Sequence, residues 1–262
     1  MTITILGSGT STGVPMIGCD CRTCQSRDPR DQRLRTSALI EHRGLNVVID
    51  TSADFRAQML ESRLTHLEAV LYTHQHYDHI AGFDDLRAFQ FLRRVAPTCY
   101  ANVATYDHIR KAFDYAFGHA TQHGGGLPQV PFEVIEEAAF TIEGPRGARL
   151  EVLPIPLLHG HLPILGFRVG GFAYLTDCSA IPERSFARLE GLDTLVLDGL
   201  RYKPHSTHLT IDEAVALAGR IGARQTYLTH MNHDILHAEL EQRLPPSVRL
   251  AYDGLRFEIE YP

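Results

Sequence analysis

Residues 73–79, which read THQHYDH, decide the fold of this chain. They place three imidazoles and one carboxylate within six consecutive positions. The preceding residues 67–72 form an apolar run that predicts a buried strand, and residues 80–83 can begin a helical turn. The ligand-type side chains are therefore expected on a loop that connects a strand to a helix.

The composition of this loop indicates metal binding. Imidazole and carboxylate groups are ligands for zinc, manganese and iron ions. The spacing lets His74 and His76 face one direction while Asp78 and His79 face another, which suits two adjacent ions better than one. A single histidine is usually a surface or core residue, but four ligand types after one apolar strand are hard to explain by packing.

Three later histidine or aspartate residues also follow apolar, strand-like segments: His159, Asp177 and His230. Strands that end at one edge of a sheet can bring such residues into a common site. With Asp177 shared, seven residues would give each of two ions four protein ligands; these are His74, His76, Asp78, His79, His159, Asp177 and His230. Two cations about 3.5–4 Å apart lower the pKa of a bridging water and align the oxygens of a substrate for displacement.

The cysteines suggest a second kind of metal site. Three of the five cysteines, Cys19, Cys21 and Cys24, lie within six positions, and this odd, clustered set does not resemble a disulfide framework. Thiolate–metal bonding in a reducing, cytoplasmic environment is the favoured interpretation, and three reduced buried thiols are the alternative. A structural zinc ion normally takes four ligands, so a fourth must come from elsewhere in the chain.

Length and composition set broader expectations. The 262 residues, 44% of them hydrophobic, suffice for one core, so we expect one domain over residues 1–262. The net charge of −6 argues against a nucleic-acid-binding surface. Residues 1–6 lack a basic segment and a long apolar run, and we therefore expect neither a signal peptide nor a membrane span.

Periodicity predicts helices over residues 53–62, 103–117, 182–189 and 211–221, with strands between them. Asp50 either caps the first of these helices or supports a metal ligand by a hydrogen bond.

Three segments have open interpretations. The glycine-rich residues 7–15 form either turns or a backbone approach to an anion or a metal. Residues 118–131 form either a lid or an ordinary connection. Five arginines at positions 22, 27, 30, 33 and 35 are expected to be solvated on the surface, and the alternative is that one of them faces a phosphate.

The signature H-x-H-x-D-H resembles that of the metallo-β-lactamase superfamily, and the later ligand positions match it as well. The resemblance covers essentially the whole chain. It implies an α/β fold, a four-layer αβ/βα sandwich, with a dinuclear zinc or manganese site at one edge.

Within this superfamily, residues 6–15 (LGSGTSTGVP) and 18–24 (GCDCRTC) are similar to the branch that contains the phosphoribosyl 1,2-cyclic phosphodiesterase of the carbon–phosphorus lyase pathway. In that branch, three cysteines and a histidine shortly after the last metal-binding histidine hold a structural zinc ion. The resemblance therefore implies a zinc site formed by Cys19, Cys21, Cys24 and His233. His233 lies three positions after His230, so one short loop can serve both metal sites.

The resemblance also implies the chemistry. A hydroxide that bridges the two ions attacks the phosphorus of a small phosphodiester, such as a cyclic nucleotide or a cyclic ribose phosphate. His208 matches the histidine that stabilises the transition state or protonates the leaving oxygen, and His205 is the second candidate. We expect Asp78 to be a catalytic residue as well as a metal ligand.

Three alternatives stay open at this point. A thioester or lactam hydrolase could use the same scaffold, but His208 and the cysteine cluster argue against it. A tRNA 3′-end endonuclease would need a basic arm, whereas residues 118–131 contain no lysine or arginine. A metal-stabilised binding protein would not need the complete ligand set. We expect a small phosphodiester substrate and no nucleic-acid partner, and the sequence leaves a homodimer open.

Overall fold

The first of two β-sheets in the computed structural model, which describes residues 1–117 and 126–261, combines antiparallel and parallel strands. Its spatial order is β14-β1-β2-β3-β4-β5-β6. The strands are β1 (Thr2–Gly7), β2 (Ser37–His42), β3 (Leu45–Ile49), β4 (Ala69–Leu71), β5 (Thr98–Ala101), β6 (Phe132–Val134) and β14 (Arg256–Glu258). Strands β3 to β6 pair in parallel, so their carboxyl ends lie at the same edge.

The second sheet has the order β13-β12-β11-β10-β9-β8-β7. Its strands are β7 (Phe140–Glu143), β8 (Arg149–His159), β9 (Leu162–Val169), β10 (Phe172–Leu175), β11 (Thr194–Asp198), β12 (Gln225–Thr229) and β13 (Val248–Leu250). Strands β10 to β13 pair in parallel and, like the parallel strands of the first sheet, end together at one edge. Strands β8 and β9 form a long antiparallel hairpin beside them.

Helices cover the outer faces of the sheets. They are α1 (Phe55–Ser62), α2 (Tyr77–Ile80), α3 (Arg87–Arg93), α4 (Val103–Ala112), α5 (Glu183–Phe186), α6 (Ile211–Ile221) and α7 (His237–Glu241). Thr210 and Glu213 form a reciprocal capping box that begins α6 where the periodicity predicts it. Short 3-10 segments occur at Pro29–Asp31, Ala81–Leu86, Asp114–Phe117, Pro145–Gly147 and Ala187–Leu189.

The buried apolar side chains form three clusters that define the layers. The central cluster lies between the sheets and joins residues such as Ile40 and Ile49 to Phe167 and Tyr174. A second cluster packs α6 against the outer face of the second sheet. A third packs α1 and α3 against the first sheet. Strands covered on both faces, such as β3, lack polar alternation for this reason. The predicted α/β sandwich is confirmed.

Several local predictions need correction. The helix predicted over residues 53–62 begins only at Phe55 with Asp54 at its N-cap, so Asp50 is not its cap. The helix predicted over 103–117 ends at Ala112, and a 3-10 turn follows. Of the predicted lid or connection at 118–131, residues 118–125 lie outside the described residues. Within residues 1–117 and 126–261, every helix is too short or too polar to span a lipid bilayer.

The backbone turns sharply at three strand ends on the ligand-bearing edges. Asp50, Asp177 and His230 have φ values of 62°, 56° and 62°, in the left-handed region that residues with a Cβ rarely adopt. Each of these residues follows its strand directly or after one residue. The strain therefore occurs where the chain must redirect an aspartate or histidine side chain.

The exit of the 73–79 loop has no space for an additional methyl group. A Cβ on Gly82 would lie 2.4 Å from the Cβ of Phe55 and 2.5 Å from the carbonyl oxygen of Ser52. We predict that Gly82→Ala lowers the free energy of unfolding by about 1–3 kcal/mol, measured by urea denaturation. Gly219→Ala is the control, because a Cβ on Gly219 in α6 would have no other atom within 4 Å, and this variant should gain up to about 1 kcal/mol. Equal stability of Gly82→Ala and the wild type would contradict the packing described.

Candidate metal centre

The first ligand group consists of His74, His76 and His159, from the ends of β4 and β8. One nitrogen of each imidazole lies within 4.8 Å of the other two. The Nε2 atom of His74 is 3.0 Å from Nδ1 of His76. Burial holds the pKa of His74 well below its ordinary value, which favours the neutral imidazole that a metal ion requires.

The second group consists of Asp78, His79, Asp177 and His230. The Nε2 atom of His79 lies 3.4 Å from Asp78 Oδ2 and 3.3 Å from Asp177 Oδ1. His230 Nε2 lies 3.2 Å from Asp177 Oδ2. Asp177 also approaches the first group, with Oδ2 4.0 Å from His74 Nε2. Its carboxylate therefore lies between the two groups, in the position of a shared ligand.

The side chains of the two ligand groups are better suited to binding metal ions than to hydrogen bonding with one another. The Nε2 atoms of His79 and His230 are fully buried and have no hydrogen-bond partner, although carboxylates lie close to both. Burial disfavours charge on Asp177, but nearby His230 and His79 outweigh it and hold the pKa of Asp177 well below its ordinary value. Unpartnered nitrogens and ionised carboxylates that converge in a buried space are the donor set of a divalent metal site.

Asp50 orients the candidate ligands His79 and His74 through hydrogen bonds on the Nδ1 side of their rings. Its carboxylate accepts hydrogen bonds from His79 Nδ1 (2.7 Å), the Thr73 backbone N–H (2.8 Å) and the Thr73 hydroxyl (2.8 Å). The Thr73 hydroxyl oxygen in turn lies 3.0 Å from His74 Nδ1 and can accept a hydrogen bond from it. One buried carboxylate thus fixes the rings of His79 and His74, as outer hydrogen bonds commonly do for metal-binding histidines. Asp50 therefore bonds to His79 and does not cap the helix.

His208 lies beside both ligand groups. Its ring centroid is 4.6 Å from that of His159 and 4.7 Å from that of His230. His208 Nδ1 lies 3.1 Å from Asp198 Oδ1, and Asp198 is completely buried. His205 is exposed, and its ring centroid lies 5.1 Å from that of His208. His208 is therefore the better placed of the two candidates.

Asp198 is a site residue that sequence reasoning missed. It is the last residue of β11, at the same edge as Asp177 and His230, and its other oxygen accepts the Leu209 N–H at 2.9 Å. Asp198 Oδ1 also lies 3.8 Å from His230 Nδ1. An aspartate at the end of an apolar strand is the same signal that identified Asp177, and it could have been applied here.

The cysteine cluster faces a single imidazole nitrogen. The Sγ atoms of Cys19, Cys21 and Cys24 lie 3.1, 3.5 and 3.7 Å from His233 Nδ1. The Cys24 backbone N–H lowers the pKa of Cys21 to about 6, whereas burial raises that of Cys24 to about 11. None of the five cysteines forms a disulfide. Three thiols and one imidazole in this arrangement fit a structural zinc ion.

The structure thus brings all the sequence-predicted ligands into two separate places. Seven residues meet at the edge of the sheets and four at the cysteine cluster. Arg33, expected on the surface, is instead fully buried beside the turn that carries His233.

Comparison with known proteins gives the family. The sequence profile of the beta-lactamase superfamily domain matches residues 45–231. A crystal structure described as a new diphosphatase from the PhnP family superposes with a TM-score of 0.90, at 43% identity over 99% of this chain and 98% of that one. This chain belongs to the PhnP branch of the metallo-β-lactamase superfamily. It is a metal-dependent hydrolase.

Two further relatives differ in extent. A Porphyromonas gingivalis protein named octanoyltransferase is 40% identical to this chain over an alignment of 270 positions. The alignment covers 99% of this chain and 52% of that protein. The chain therefore spans about half the length of this relative. The zinc-bound PqqB structure from Methylobacterium extorquens has a TM-score of 0.74 at 20% identity, covering 99% and 100% of the two chains, and it shows the fold alone.

If the cysteine cluster holds zinc, Cys21→Ser should lower the metal content from about three to about two ions per chain. The variant should also unfold at a lower temperature, because metal binding contributes to folding. Elemental analysis of the dialysed protein gives the first quantity, and calorimetry gives the second. Cys99→Ala, which changes a buried thiol outside both ligand sets, serves as the control and should keep the full metal content. Unchanged metal content in Cys21→Ser would exclude the zinc assignment.

Proposed function

We propose that this hydrolase is a dinuclear metal phosphodiesterase that acts on a small phosphodiester, such as a cyclic nucleotide or a cyclic ribose phosphate. The observation that carries the proposal is the Asp198–His208 pair, which lies directly beside the two ligand groups. Such a pair is suited to the protonation of an alkoxide leaving group, the difficult step in the cleavage of a phosphodiester.

The proposal assigns the metal ions to the seven residues at the sheet edge. His74, His76 and His159 hold one divalent ion, Asp78, His79 and His230 hold the other, and Asp177 is shared. When bound, two zinc or manganese ions supply Lewis-acid stabilisation of phosphoryl oxygens and a low pKa for an attacking water. Asp50 keeps His79 and His74 in the tautomers that present Nε2 to the site.

His208 has the role of the general acid in this proposal. The buried Asp198 carboxylate accepts a hydrogen bond from His208 Nδ1 and fixes the orientation of the ring beside the two ligand groups. A ring nitrogen of His208 also lies within 4.8 Å of the ligand atoms of His159 and Asp177. A substrate phosphate held at the metal groups would therefore have its leaving oxygen close to this imidazole. After the proton is transferred to that oxygen, the neutral ring takes a proton from solvent.

The relatives support phosphorus–oxygen bond cleavage over thioester cleavage. The PhnP-family diphosphatase resembles this chain over nearly the full length of both chains, and its description names a phosphorus–oxygen reaction. The name octanoyltransferase belongs to a protein of which this chain covers about half. The human tRNase Z has the same fold at 18% identity, and the net charge of −6 disfavours an RNA substrate here.

Replacing His208 tests the general acid directly. We predict that His208→Ala keeps the wild-type metal content but lowers kcat for a phosphodiester with a poor, alkoxide leaving group by about 10²–10⁴-fold. The loss should be smaller for bis(p-nitrophenyl) phosphate, because p-nitrophenolate leaves without a proton. His205→Ala is the matched control and should retain most of its turnover. Equal kcat values for His208→Ala and the wild type on the alkoxide substrate would remove His208 from the mechanism.

A substrate panel tests the reaction class. The wild-type enzyme, loaded with zinc or manganese, should hydrolyse a cyclic nucleotide or bis(p-nitrophenyl) phosphate and leave an acyl thioester intact. A dinucleoside diphosphate added to the panel distinguishes a diester from a diphosphate bond. Hydrolysis of the thioester alone would replace the phosphodiesterase proposal with the thioesterase alternative.

A further inference from the structure

Arg33 has the largest fully buried side chain among the described residues, and each of its three guanidinium nitrogens donates a hydrogen bond. Nε donates to the Arg30 carbonyl (3.2 Å), Nη1 to the Asn232 carbonyl (3.1 Å) and Nη2 to the Ile235 carbonyl (2.8 Å). Nη2 also forms an ion pair with Asp31 at 2.9 Å. A buried charge with this many partners is costly to remove from water, so its retention calls for an explanation beyond packing.

The two distant carbonyls identify what Arg33 holds. Asn232 and Ile235 flank His233, which faces the cysteine cluster, and Asn232 lies two residues after His230, which faces the sheet-edge site. The intervening turn between β12 and α7 begins with the left-handed residue His230. This turn contains no strand or helix that would fix its shape.

Other contacts hold the start of the same turn. The Met231 N–H donates to the Ser8 carbonyl at 3.0 Å, and the Thr10 N–H donates to the Met231 carbonyl at 3.1 Å. The Asn232 N–H donates to the Leu200 carbonyl at 3.0 Å. Asn232 Oδ1 accepts the Asp234 N–H at 2.9 Å, and Asp31 Oδ1 accepts the His237 N–H at 2.8 Å. Arg33 adds to this support by bonding the carbonyls on both sides of His233, those of Asn232 and Ile235. A lysine could not replace it, because a single ammonium group lacks the planar fork that reaches two carbonyls and a carboxylate at once.

We propose that Arg33 is a positioning residue that couples the two metal sites, because it holds residues 230–235 in the one shape that presents both His230 and His233 to their ligand groups. The inference rests on the ligand assignments of the proposed function. An ion bound by His233 at the cysteine cluster then stabilises this shape and so keeps His230 in its ligand position. An ion bound by His230 at the sheet edge does the same for His233. Such coupling is reciprocal by thermodynamic necessity.

Metal titration of the metal-free protein tests this coupling without an activity assay. Cobalt bound to thiolates absorbs strongly and reports the cysteine cluster, whereas competition with a chelator reports the sheet-edge site. Arg33→Lys should weaken metal binding at the sheet edge by about 10–100-fold, the range typical for lost outer support of a ligand. Arg168→Lys is the matched control, because Arg168 also donates to three carbonyls but lies in β9 away from both sites. It should lose stability with unchanged metal affinities.

A double-mutant cycle separates coupling from general destabilisation. In the wild-type background, Cys21→Ser should weaken metal binding at the sheet edge; in the Arg33→Lys background it should add little further loss. Asp31→Asn removes the charge partner of Arg33 but leaves one oxygen that can accept from Arg33 and the His237 N–H, and it should cause a smaller loss, about fivefold. It replaces Arg33→Lys in the cycle if that variant does not fold.

The outcomes distinguish this inference from the proposed function. Wild-type affinities in Arg33→Lys or, if it is unfolded, in Asp31→Asn would overturn the coupling and leave the proposed function intact. Fully additive effects in the cycle would do the same. A wild-type protein that binds no metal at the sheet edge would overturn the proposed function, and the coupling with it.

Discussion

The hydrogen bonds of the buried Asp50 carboxylate are the interaction on which the site depends. This carboxylate joins the end of β3 to the 73–79 loop through His79 and Thr73, and through Thr73 it reaches His74. Removing such a group from water costs several kcal/mol, which the surrounding donors must offset. Burial raises the pKa of Asp50, and its interactions with His79 and Thr73 oppose this rise. The arrangement is stable only if loop and strand stay together, and this requirement fixes the ligand geometry.

The same constraint explains the strained backbone at the strand ends. A left-handed conformation at Asp50, Asp177 and His230 costs about 1–3 kcal/mol at each residue. The two sandwiched sheets supply enough buried apolar surface to tolerate it, and the parallel strands deliver these residues to the same edge. The strained backbone thus lowers the free energy of unfolding at the positions where the chain redirects side chains into the site. The buried Arg33 extends the principle to the turn that follows β12.

Much of the fold and the site could be predicted from the sequence because the signals are local. Residues 73–79 carry their ligands in one short segment, and His159, Asp177 and His230 each end an apolar run. The roles of Asp198 and Arg33 depend on which distant segments meet. Arg33 is charged and lies among other arginines, so composition alone predicted a surface position, whereas its partners Asn232 and Ile235 are about two hundred residues away. The helix predicted over 103–117 ends after Ala112, and the sequence at that point has no glycine or proline that would have predicted the end.

We expect the ligand-bearing edges of the two sheets to hold two metal ions together and the cysteine cluster to hold a third. Anomalous X-ray diffraction from crystals of the metal-loaded protein, recorded at the zinc and manganese edges, tests it most directly. We expect two peaks about 3.5–4 Å apart among the seven edge residues. A third, zinc-specific peak should lie between the three cysteines and His233. A single peak at the edge, or ions bound away from these residues, would rule out the dinuclear site.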